Sequence, residues 1–148
     1  MSKETQPRSC DCYLLEGACM IGKIDQNIKN IVNAINRYPG VETTGSCGGH
    51  RHPQITSQKP ENEFYVQIDI CDENGVPTKE GWNSLGKLSQ AIMNYSIATF
   101  GAGEIVIEFC NLAEQDDDEN GSCNYIEMHG KDVDRNVLFD AITIRLES

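Results

Sequence analysis

Residues 63–71, EFYVQIDIC, alternate Phe64, Val66, Ile68 and Ile70 with Tyr65, Gln67 and Asp69. A period of two with one apolar and one polar set defines a strand in a sheet that is covered on one face only. The cover must come from elsewhere in the chain, and two stretches supply it. From Asp25 onward, Ile28, Ile31, Val32 and Ile35 recur at i, i+3, i+4 and i+7, the stripe of an amphipathic helix that YPG at 38–40 stops. Beyond Thr78, a candidate N-cap, Trp82, Leu85, Leu88, Ile92 and Tyr95 keep helical spacing.

Three further segments read as strands: VETTGS at 41–46, EIVIEFC at 104–110 with Ile105, Ile107 and Phe109 on one face, and CNYIEMH at 123–129 as its partner across an acidic loop. Helix, strand, long loop, strand therefore occurs twice, at 25–71 and 79–129, which suggests a duplicated helix–strand–strand unit. Such an order buries its apolar faces most simply as an α+β two-layer sandwich, a mainly antiparallel sheet with helices. The expected organisation is an N-terminal arm over 1–22, frayed over the polar residues 1–9, and a single α+β domain over 23–148. The last element supports two readings. Asp134 caps a helix with Val133 and Leu138 as its hydrophobic staple, or Ile142, Ile144 and Leu146 alternate as a strand.

Charge narrows the partners. Twelve basic residues against 23 acidic ones give a net charge of -11, which repels nucleic-acid backbones and anionic membrane surfaces. The N-terminal apolar run CYLLEGACMIGK is broken by Glu16, is too short to span a bilayer and lacks the layout of a secretory signal, so a cytoplasmic protein is expected. Seven cysteines, an odd number at irregular spacing, suit reduced thiols better than a disulfide framework.

The densest chemistry lies in TTGSCGGHRHP, residues 43–53. Gly45, Gly48 and Gly49 permit positive φ and close backbone approach, and the amides of Gly48 and Gly49 could cradle an oxyanion or phosphate. Ser46, Cys47 and His50 are the candidate catalytic residues, with Cys47 as nucleophile or soft ligand and His50 as general base or second ligand. Arg51 is suited to clamping an anion, and His52 adds a second imidazole for ligand binding. The bland alternative is a tight bend with a buried thiol. The ligand class these groups suit is a small anion or nucleotide.

The stretch INRYPGVETTGSCGGHRHP, residues 35–53, resembles the region around the Ser-Cys-Ser-Gly-Arg motif of the tRNA wybutosine-synthesising methyltransferase family. Ser46, Cys47 and Gly49 match that motif; Gly48 replaces its second serine and His50 its arginine, with Arg51 next in the chain. The resemblance implies an α/β fold, S-adenosylmethionine as methyl donor and a modified guanosine in tRNA as substrate.

Two metal readings stand beside it. DDDENGSCNYIE, 116–127, fits the calcium-loop template with Asp116, Asp118, Asn120, Gly121 and Glu127 in register, although strands rather than helices flank it. Cys10, Cys12 and Cys19 with Cys47 or His50 could complete a tetrahedral zinc set, at a spacing unlike the common zinc knuckles. His129 stands alone and reads as a strand-end surface residue. Enzyme, metal-binding module and plain interaction protein thus all remain open at the level of sequence.

Overall fold

The computed structural model describes residues 8–9, 26–50, 59–111 and 124–148. In chain order these form β1 (Arg8–Ser9), a 3-10 turn (Gln26–Ile28) running into α1 (Lys29–Asn36), β2 (Glu42–Cys47), β3 (Glu63–Asp69), α2 (Lys79–Ala98), β4 (Glu104–Asn111), β5 (Asn124–Lys131) and α3 (Arg135–Glu147). The fold is α+β. One sheet runs in the order β1-β2-β3-β5-β4, antiparallel throughout except where β1 lies parallel to β2.

The alternation in β3 does what its chemistry requires. Phe64, Val66 and Ile68 are buried, and they share one apolar cluster with Ile31, Val32 and Ile35 of α1, Leu85, Leu88 and Tyr95 of α2, and Leu138 and Ile142 of α3. Helix α3 packs against both α1 and α2. Tyr38 is buried at the end of α1 and donates its hydroxyl to the Ile142 carbonyl at 2.7 Å; burial pushes that phenol up to about 12. The Tyr95 hydroxyl accepts from the Asp134 amide at 2.8 Å, so a second buried tyrosine fixes the start of α3.

The C-terminal segment is helical because its first turn is capped. Asp134 accepts from the amides of Asn136 and Val137, each at 3.2 Å, and Val133 packs on the core cluster to which Leu138 belongs. Leu138 and Ile142 then share the buried face at i, i+4 while Ile144 is 65% exposed, so the strand-like alternation of Ile142 and Ile144 has no structural counterpart. Thr78 caps α2 in the same way, accepting from the Gly81 amide at 2.9 Å.

Three expectations are corrected. Arg8–Ser9, placed in a fraying arm, pair with Gly45 and Ser46; two residues carry no periodicity to read. Trp82 lies at the rim of the apolar stripe, 48% exposed, beside Phe109 rather than in the core. Strand β2 also continues through Cys47, so the thiol belongs to the sheet and not to the turn after it. Among the described residues no helix is long and apolar enough to cross a membrane.

Asp134→Ala removes the acceptor for two helix amides and is expected to lower stability by about 1 kcal/mol. Urea denaturation reads this as a lower midpoint at unchanged slope.

Candidate functional site

An extra residue in β2 decides which side chains reach which face. Thr43 pairs with Ile68 and Gly45 with Gln67, so Thr44 is bulged between them and the phase of the strand inverts. Ser46 pairs with Val66 and points toward the helices, whereas Cys47 pairs with Tyr65 and points to the opposite face. Both side chains are fully buried. Ser46 and Cys47 therefore cannot act on one substrate, and the Ser46 hydroxyl, which has no hydrogen-bond partner among the described residues, is shut inside the helix–sheet interface.

The glycines after Cys47 are needed for the protein's own packing. A Cβ on Gly48 would collide with the Asn27 side chain, whose Nδ2 donates to the Gly48 carbonyl at 3.0 Å. Gly49 has φ +98°, and a Cβ there would sit within 2.8 Å of the Glu61, Pro60 and Glu63 carbonyl oxygens. Arg135 donates to the Gly48 carbonyl from the start of α3. The space that glycine opens is filled by Asn27 and the 60–63 backbone, where the sequence suggested an anion cradle.

What the turn holds instead is Lys59. The Lys59 amide donates to the Cys47 sulfur at 3.5 Å, and the Lys59 carbonyl accepts from the His50 amide at 2.8 Å. His50 is half-buried. Arg51 and His52 lie outside the described residues.

Lys59 stands at one side of a groove of about 360 Å³ on the sheet face opposite the helices, where its ammonium lies 5.9 Å from the Tyr65 ring centre. Strand register sets two rows on this sheet face, Cys47, Tyr65, His129 and Val106, then Gln67, Glu127 and Glu108, of which His129, Val106, Glu127 and Glu108 line the groove. His129 Nε2 lies 3.5 Å from Glu108 Oε1. Burial pushes the Glu127 carboxyl above its ordinary range, Glu108 adds to that, and His129, Lys59 and a hydrogen bond from Gln67 only partly oppose it. Glu63, Glu104 and Lys131 complete the polar lining. At about 4.8 Å per strand, Cys47 and His129 are about 10 Å apart across the sheet.

A carboxyl biased toward its protonated form beside an imidazole paired with a second carboxylate can hold and pass a proton, and Lys59 and Lys131 can take an anionic group. Of the residues singled out from sequence, Cys47, Glu127 and the backbone of His50 belong to this arrangement, while Ser46 does not. His129, Glu108 and Lys59 were missed. The polar alternation of Tyr125, Glu127 and His129 was the available signal, but only the pairing of β5 with β3 and β4 brings those residues together.

Among the described residues no group of three or more His, Cys, Asp and Glu side chains could hold a metal ion. Cys10, Cys12, Cys19, Asp116, Asp118, Asn120 and Gly121 lie outside the described residues. Glu127, the template's closing calcium ligand, is the fourth residue of a strand, where a calcium hand would begin its second helix. No protein-family model, curated protein or solved structure matches the chain.

Two outcomes follow from this geometry. Gly49→Ala is expected to lower stability by about 2 kcal/mol or more, through positive φ and crowded carbonyls; unchanged urea stability would show that the glycine serves only an incoming ligand. Because the fold binds the Glu127 proton more tightly than the unfolded chain does, stability is full below the ordinary carboxylate range and is lost as pH rises through the raised value. Glu127→Gln escapes that loss, so in paired urea titrations the variant should gain on the parent protein as pH rises from the ordinary carboxylate range through the raised value.

Proposed function

We propose that the protein binds a small, polar, mixed-charge ligand in the groove above β3, β4 and β5 and transfers a proton on it. The observation that carries this is the cluster of Glu127, His129 and Glu108 facing Lys59 in one groove. Lys59 takes the anionic group of the ligand. His129, oriented by Glu108, serves as base, and Glu127 supplies the proton. Cys47 is a positioning residue here: its sulfur and the His50 amide grip the Lys59 backbone from both sides.

A groove of about 360 Å³ suits a nucleotide or amino-acid derivative. S-adenosylmethionine, the donor implied by the resemblance at residues 35–53, carries an ammonium, a carboxylate and a sulfonium. Lys59 and Lys131 beside the groove glutamates complement that mixture, which makes it a suitable first probe. A tRNA-borne guanosine is the disfavoured ligand, since a net charge of -11 repels its phosphates. Among the described residues, free thiols at Cys71 and Cys110 suit a reducing, cytoplasmic setting.

The test is an NMR titration of the His129 imidazole, assigned by His129→Gln, with S-adenosylmethionine and with adenosine monophosphate. At least one probe should shift that resonance saturably, and Lys59→Ala should weaken its binding roughly tenfold or more. A His129 signal unmoved by both probes at millimolar concentration would sink the proposal, as would undiminished affinity in Lys59→Ala.

A further inference from the structure

A second cavity, of about 320 Å³, lies between the start of α2 and the ends of β3, β4 and β5, and shares no lining residue with the groove. Its walls are aromatic and aliphatic. Trp82 and Phe109 stand with ring centres 6.1 Å apart and planes 30° from each other, and Tyr125, Pro77, Ile68 and Ile126 complete the apolar surface. Trp82 is 48% and Phe109 65% exposed, so two large rings that the core does not use pack on each other as one open aromatic wall.

The polar groups in the walls restrict what can enter. Asp69 supplies the only formal charge among the described lining residues; its Oδ1 accepts from the Cys71 amide at 2.9 Å. Cys71 and Cys110 contribute free thiols, and burial together with nearby carboxylates pushes both above the ordinary thiol range, so they present neutral, polarisable sulfur. Among the described residues no lysine or arginine lines the cavity. Aromatic faces attract flat rings and cations, while one fixed carboxylate in a chain of net charge -11 repels anions.

We infer that this cavity is a binding site for a flat aromatic molecule of one or two rings, uncharged or cationic, laid against the wall that Trp82 and Phe109 form together, with its polar edge toward Asp69. The inference is independent of the proton-transfer groove, which lies on the other face of the sheet.

Trp82 is the only tryptophan in the sequence, so the full-length chain labelled with nitrogen-15 gives one indole Nε1–H resonance as reporter. Benzamidine and benzoate, alike in ring and shape but opposite in charge, are the probes. Benzamidine should shift the indole signal saturably, with half-saturation on the order of millimolar, and benzoate should bind roughly tenfold more weakly or not at all. Phe109→Ala, at an exposed edge position, should keep the native amide spectrum and lose the response. Asp69→Asn should bring the two probes toward equal affinity. A linear, non-saturating shift, equal responses to both probes in the parent protein, or a full response in Phe109→Ala would overturn the assignment.

Discussion

The guanidinium of Arg135 holds together the place where the chain segments around the turn converge. It is the first residue of α3, and it donates to the carbonyls of Gly48, Glu61 and Glu63 and reaches Asn27 at 3.5 Å, while lying 5.1 Å over the Phe64 ring. A planar fork with five N–H groups can serve several carbonyls at once; a lysine at this position could not present the same geometry. The turn after β2, the entry to β3 and the start of α3 are thereby fixed relative to one another. The Lys59 backbone, gripped by Cys47 and His50, inherits that rigidity, and so does the edge of the groove it borders.

Local chemistry made much of the fold legible. The stripe of Ile28, Ile31, Val32 and Ile35 and the alternation of Phe64, Val66 and Ile68 each bury the side chains their periods select. At the C-terminus, two patterns competed, and the capping chemistry of Asp134 with the Val133 staple decides between them because it satisfies backbone amides that a strand would not expose. The bulge at Thr44 was not legible. It inverts the faces of Ser46 and Cys47, and nothing in the order Thr-Thr-Gly-Ser-Cys announces that the extra residue falls there. Register was equally hidden: His129 looked isolated because its partners Tyr65 and Val106 lie far away in the chain.

At the glycine turn the physical cause of the glycines differs from the one its composition suggests. Its concentration of glycine, thiol and imidazole lies beside Lys59 at the edge of the groove. Yet Gly48 and Gly49 are required by Asn27 and by the carbonyls of Pro60, Glu61 and Glu63, which crowd the positions a Cβ would take. The groups with free chemistry sit one layer away, on strands whose polar faces are ordinary when read one at a time. Side-chain identity is visible in a sequence; the atom that occupies the space beside a glycine is not.

The groove and the apolar cavity both depend on the meeting of the two helix–strand–strand halves. Strand β3 belongs to the first half and β5 to the second, and their pairing places Gln67 opposite Glu127 and Tyr65 opposite His129 on one face, with Ile68 opposite Ile126 on the other. The second half supplies Glu108, Glu127 and His129, the first half supplies Lys59 facing them, and the cavity draws its walls from both. Ionising Glu127 in this setting weakens the fold, because the carboxyl loses water and faces Glu108 across the strand pair. A sheet seeking only stability would place a threonine or valine there. Holding an unfavourable carboxyl beside His129, on a sheet whose other face is covered by helices that Tyr38 and Tyr95 tie together, separates the stability of the core from the strain of the groove and lets one sheet carry both.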